Sequence, residues 1–172
     1  MAFVDSLKKA LAILKLDGGV MQEVALDNTI TLHAFLILII AGIASAIGQL
    51  NLAGLILLPI VIILIQFINV GITHGLALLF GGQAKYMQLF RAMSFSSIIG
   101  WIQVIPVIGP IIGAVASLWL LVVEVVILKY VHKLTIVKAI IVVLIPIVLI
   151  IVLFVVLSII FIGSIHGFAQ LA

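Results

Sequence analysis

Gln66, Asn69 and Thr73 recur at helical spacing inside a long apolar stretch, which sets two carboxamides and a hydroxyl on one helix face. An amide facing hydrocarbon would lose its hydrogen bonds, so this face must turn toward protein or water. Two uses are open to it: hydrogen bonding to Ser96, Ser97 or Gln103 of a neighbouring helix, or lining a path for a polar solute. Glu124 is the one acid inside an apolar run, about five residues or roughly 7 Å short of Lys129. An acid at that depth needs a partner or a proton. Arg91, Lys129, Lys138 and His74 are the candidates, and the outcome is either an ion pair or a protonated acid fastening helices, or a proton or ligand site. His33, His74, His132 and His166 fall at no metal-ligand spacing, so no metal is expected, although His74, Glu124 and His132 can converge at one end of a bundle. No hydrolase serine motif, Walker loop or dinucleotide fingerprint occurs, so neither catalytic residues nor a cofactor are expected. Gly81-Gly82 lacks the strand and the lysine-serine pair of a phosphate loop and reads as a turn.

The elements that position these residues follow from composition. With 67% hydrophobic and 8% charged residues and a mean hydropathy of +1.63, the 172-residue chain has too little polar surface to face water, so lipid must solvate it. Continuous rather than alternating apolar runs select helices over a barrel. The expected fold is therefore all-α, a polytopic bundle of about five transmembrane helices at 29–49, 52–80, 93–108, 110–128 and 138–163. The third is short and polar, and either starts near Ala84 as an amphipathic lead-in or is re-entrant. Pro59 and Pro146 are expected to kink the second and fifth. Ahead of this domain, 28–172, residues 1–27 read as a cytosolic interfacial amphipathic helix, with Phe3, Leu7, Leu11 and Leu14 on one face, stopped at Asp17-Gly18-Gly19 and followed by a polar connector. The opening segment lacks the uninterrupted apolar core of a signal peptide and is expected to be retained. Absence of cysteine removes disulfides and thiolate metal sites.

With five spans, Lys8, Lys9, Lys15, Lys85, Arg91, Lys129, Lys133 and Lys138 all fall on one side, which the positive-inside rule makes the cytosol. The N-terminus is then cytosolic and the C-terminus outside. These cations are scattered rather than run together with aromatics, so no nucleic-acid partner is expected. Gly109, Gly113 and Ser117 form a small-residue stripe that either packs within one protomer or joins two copies into a homo-oligomer.

The order of motifs adds a resemblance. Gly81, Gly82, Lys85, Tyr86 and Arg91 follow the second span, and Trp119, Glu124, His132, Thr135, Lys138 and Ala139 run from the fourth span into the fifth. This arrangement, over about residues 75–150, resembles the Ypt-interacting protein (Yip) domain family. The resemblance implies five spans with a cytosolic N-terminus, and by family analogy a small GTPase partner and a role in vesicle-mediated transport. Eukaryotic members carry a long polar region before the first span, whereas about 28 residues precede it here, so a short prokaryotic relative is more similar. The membrane is then the cell membrane, or the endoplasmic reticulum and Golgi if the chain is eukaryotic. The leading expectation is a non-enzymatic scaffold or adaptor acting through its cytosolic loops on a protein partner or on lipid. The alternative is a small-solute or ion conduit lined by Gln66, Asn69, Thr73, Ser97 and Gln103.

Overall fold

The structure, a computed structural model, describes residues 2–169, with side chains to Phe161; His166 and the tail after Gly163 lie outside the described side chains. Among the described residues every regular element is helical: α1 (Phe3–Leu14), α2 (Gly18–Leu26), a 3₁₀ turn (Asn28–Ile30), α3 (Thr31–Gly48), α4 (Gly54–Leu79), α5 (Tyr86–Ser96), a 3₁₀ segment (Ser97–Val104), α6 (Ile108–Val131) and α7 (Ile136–Ala169). Residues Met21 to Leu26, expected to be connector, belong to α2. The Asp17 carboxylate accepts from the Val20 N–H at 3.1 Å, so the residue read as a stop for α1 is the N-cap of α2.

Four helices are long and apolar enough to cross a membrane: 28–48, 54–79, 108–131 and 136–161. Among the described residues α5 and the 3₁₀ segment together form a further segment along α3. Arg91 lies at Thr31, Phe90 stacks near Phe35, the Trp101 indole donates to the Ile37 carbonyl at 3.1 Å, Gln103 meets Ser45, and the Val107 N–H reaches the Gly48 carbonyl at 3.0 Å. The segment thus runs beside α3 from its first residue to its last. Eleven α-helical and eight 3₁₀ residues extend about 16 Å each, because a 3₁₀ helix rises about 2 Å per residue against 1.5 Å, and their combined length matches a hydrocarbon core of about 30 Å.

Burial runs opposite to a water-soluble fold. Residues 89–96 of α5, the least apolar of the long passages, are enclosed by protein, including Arg91, Ser94 and Ser96. The most apolar helices are the most exposed: α4 presents Ile56, Leu64, Ile65 and Ile68 outward, and α7 presents nearly every side chain from Val148 to Phe161. So large an apolar surface is stable only against lipid. The polar α5 is tolerated because it meets neighbouring helices instead of hydrocarbon.

The N-terminal helices complete the enclosure. Ser6, Ala10 and Ile13 of α1 are buried while Leu11 is half exposed, so the inner face of this amphipathic helix lies one position away from the stripe Phe3–Leu7–Leu11–Leu14. Ser6 Oγ pairs with His33 Nδ1 at 2.6 Å, Lys9 meets Glu23 of α2 at 2.8 Å, and the Trp119 indole donates to the Leu14 carbonyl at 3.0 Å. The first long helix pair approaches backbone to backbone: a Cβ on Gly42 would lie 2.4 Å from Pro59 Cα. No rotamer relieves such a contact, so Gly42→Ala is expected to lower the thermal stability in detergent by about 1–3 kcal/mol. Gly71→Ala, whose Cβ would meet nothing within 4 Å, is expected to be neutral or stabilising by up to about 1 kcal/mol. Equal melting temperatures for the two variants would refute this crossing.

Candidate functional site

Four helices end the same way. Residues just past α1, α3, α4 and α6 adopt positive φ: Leu16 (66°), Leu50 (53°), Gly81 (91°) and Lys133 (56°). After the first three the next N–H reaches back five residues, as in Gly82 to the Ala77 carbonyl at 2.8 Å, whereas after Lys133 the Leu134 N–H reaches back six, to the Leu128 carbonyl at 3.5 Å. The first three are Schellman closures, and among the four positive-φ positions only Gly81 is glycine. The closures of α4 and α6 turn the chain into two loops, 80–85 and 132–135, at one end of the bundle.

His132 joins those loops. Its imidazole is fully buried, and its Nδ1 accepts the Ala84 N–H at 3.4 Å. A backbone N–H can only donate, so Nδ1 is bare, the proton sits on Nε2, and Nε2 donates to His74 Nδ1 at 3.3 Å. The His132 carbonyl accepts the Gln83 N–H at 3.1 Å. Gly82 has no room for a side chain, since its Cβ would stand 2.5 Å from His132 Nδ1. Burial, followed by the proximity of His74, lowers the His132 pKa to about 4. Lys138, at the start of α7, donates from Nζ to the Phe80 carbonyl at 2.9 Å, closing the last turn of α4. At the entry to α5 the Gln88 side chain accepts the Lys85 N–H at 2.7 Å. Tyr86 donates to the Phe67 carbonyl at 2.9 Å and lies edge-on to His74.

α2 is fastened to the same end. Gln22 Nε2 donates to the Tyr130 carbonyl at 3.1 Å, and Gly18 packs against the Tyr130 ring. Arg91, 3% exposed, donates from Nε to the Ala25 carbonyl at 3.1 Å, again from Nη2, and from Nη1 to Thr31 Oγ1 at 3.4 Å. Near it Asp27 accepts from the Thr29 N–H and hydroxyl, and these hydrogen bonds hold its pKa below the usual carboxylate value. Between α2, the glycine loop and the end of α6 lies a groove of about 320 Å3 lined by Gln22, Leu26, Gln83, Gln88, Tyr130 and Lys133, among others.

Several expected pairings are different. Glu124 accepts from Thr73 Oγ1 at 3.0 Å and so fastens α6 to α4, whereas Arg91, one of its four candidate partners, holds α2 and makes no ion pair with it among the described residues. His74 and His132 do meet, and Thr73, the partner of Glu124, precedes His74 on α4. The cluster Gln66, Asn69, Thr73, Ser97 and Gln103 is dispersed. Thr73 serves Glu124, Ser97 returns to the Met93 carbonyl, and Gln103 accepts from Ser45 Oγ at 3.2 Å on another side of the bundle. Gln66 Nε2 is buried with no hydrogen-bond partner. Gly109 and Gly113 are filled by Gln103 of the same chain, since their Cβ atoms would lie 2.7 and 2.6 Å from it. Both glycines thus serve close packing within one protomer, the first of the two readings of the stripe. No group of three metal-ligating side chains occurs among the described residues.

The residues first singled out by resemblance thus occupy connected structural positions: Gly81, Gly82, Lys85, Tyr86, His132 and Lys138 shape the joined loops, Arg91 holds α2 beside them, Trp119 holds α1, and Glu124 fastens α6 to α4. Sequence reasoning missed Gln22, Gln83 and Gln88, which face the groove from segments read as connector and loop. Comparison with known proteins found no matching curated protein and no matching solved structure. The Yip1 domain, however, matches residues 20–157, from α2 into α7. With that match over most of its length and an all-helical, lipid-facing bundle around it, the chain is an integral membrane protein that belongs to the Yip1 domain family.

Proposed function

We propose that the protein is a non-enzymatic membrane scaffold or adaptor that works from the basic end of its bundle, with that end in the cytosol. The observation that carries this reading is the lacing of two basic loops into one platform by His132, Gln83 and Lys138, with α2 attached through Gln22 and Arg91. Such cross-linking holds Lys85, Lys129, Lys133 and Lys138 in fixed relation without a conformational change, as suits a surface that recruits rather than reacts. The opposite end has the turns at 49–53 and 105–107, which contain no basic residue, and the charge difference supports a cytosolic N-terminus. A conduit through Gln66, Asn69, Thr73, Ser97 and Gln103 has less support, because Thr73, Ser97 and Gln103 are spent on separate contacts.

The chain has no cysteine, so single cysteines can be introduced at Lys85 and Lys133 without background. An impermeant maleimide is expected to label both from the cytosolic side only. A photo-crosslinker at Lys85 is expected to trap a discrete protein adduct that a crosslinker at Leu149, on the lipid belt, does not. Labelling from opposite sides, or identical adducts from both positions, would overturn the reading.

A further inference from the structure

We infer that the groove between α2, the glycine loop and the end of α6 is a binding site for a phosphate ester carrying neighbouring hydroxyls, of the kind presented by a hydroxylated anionic phospholipid headgroup. The inference rests on the preceding reading only in taking this end to face an aqueous compartment.

Charge comes first. No aspartate or glutamate lines the groove, and Lys133 does. The two acids nearest in sequence are already engaged, Glu23 with Lys9 and Asp27 with Thr29. Lys129 lies in the last turn of α6, four residues before Lys133. A negatively charged ligand therefore enters a site that offers a cation and no opposing carboxylate.

Hydrogen-bonding capacity narrows the ligand further. Gln22 commits its amide nitrogen to the Tyr130 carbonyl, which leaves its oxygen to accept. Gln88 commits its oxygen to the Lys85 N–H, which leaves its nitrogen to donate. Gln83 has no side-chain bond among the described residues and keeps both functions. Carboxamides held so that one offers an acceptor and another a donor suit hydroxyl groups, which need both; a bare phosphate needs donors alone.

Size and position agree. About 320 Å3 is at the small end of ligand-binding cavities, enough for a headgroup and not for acyl chains. Leu26, two-thirds exposed, lies at the lip, where apolar chains continuing from a headgroup would run along the bundle. The walls are already cross-linked through Gln22, Gln83 and Arg91, so binding orders no loop.

Native mass spectrometry of the full-length protein from detergent, offered phosphatidylglycerol, phosphatidylinositol or phosphatidylcholine, tests this. Retention of the two hydroxylated anionic lipids at least tenfold above phosphatidylcholine is expected, falling at least tenfold in Lys133→Glu and in Gln83→Trp, which fills the groove. Lys8→Glu, on the far exposed face of α1, is expected to retain lipid normally. Melting temperatures within a few degrees of the parent confirm that the groove variants are folded. Glycerol phosphate and inositol phosphate, added without lipid, separate the two sources: binding as strong as the lipid's identifies a free phosphate ester, and weaker binding identifies the membrane lipid. Equal retention of all three lipids, or of the anionic lipids by parent and variants, would overturn the assignment. A crosslinker at Gln83 that traps a polypeptide instead of lipid would also overturn it.

Discussion

Arg91→Ala is expected to destabilise the folded protein by about 3–5 kcal/mol, on the order of 10 °C in melting temperature. Two losses combine. The Ala25 carbonyl, in the last turn of α2 with no helical N–H to serve it, loses both guanidinium donors and remains buried. An unsatisfied buried carbonyl costs about 1–3 kcal/mol, and the space left by a side chain enclosed between α2, α3 and α5 adds a cavity term of at least about 2 kcal/mol. Arg91→Lys preserves the charge but not the fork that reaches Ala25 and Thr31 together, and should fall between the parent and Arg91→Ala. Combining Arg91→Ala with Glu124→Gln should give additive losses, because Glu124 answers to Thr73 and not to Arg91. A coupling above about 1 kcal/mol between the two sites would show that they interact after all, against the geometry.

That double variant isolates what a membrane sequence conceals. Hydropathy and charge report depth along a helix well: the apolar runs, the loops between them and the gathering of lysines at loops 80–85 and 132–138 are all visible in the residues themselves. They report azimuth poorly. The sequence puts Arg91, Lys138 and His74 toward the same end of the bundle as Glu124, and which group it meets depends on the rotation of the helices about their axes. The stronger signal of charge favoured a cation, and the structure supplies a hydroxyl. α5 was hard to read for a related reason, since a helix enclosed by other helices needs no apolar exterior and so resembles a connector. At Asp17-Gly18-Gly19 a true helix end coincides with the next helix's cap, and only the cap's partner, Val20, separates a break from a continuing hairpin. Leu16, Leu50 and Lys133 close helices in a conformation usually taken by glycine, leaving no residue-type marker. The pair Gly81-Gly82 was legible as a turn, but not that its second glycine makes room for an imidazole 50 residues further on.

Acidification supplies the second large effect. In the folded protein His132 stays neutral down to about pH 4, whereas in the unfolded chain it takes up a proton near pH 6.5. Between these values the unfolded state binds more protons, so stability is full above pH 6.5 and falls as pH drops toward 4. The interval of about 2.5 units corresponds to at most about 3 kcal/mol. Protonation would place a second N–H against the Ala84 N–H, destroying the bond that holds the glycine loop to α6. Asp27, whose hydrogen bonds hold its pKa below the usual carboxylate value, is present in parent and variant alike. Gln offers an amide oxygen and nitrogen in place of the imidazole atoms and has no proton to gain, so His132→Gln should flatten the melting-temperature profile between pH 4 and 6.5 while costing some stability at neutral pH. Groups common to parent and variant cancel in the difference. Parallel profiles for the two proteins would mean that His132 does not carry the acid sensitivity, and the neutral imidazole assigned to the junction of the two loops would have to be abandoned.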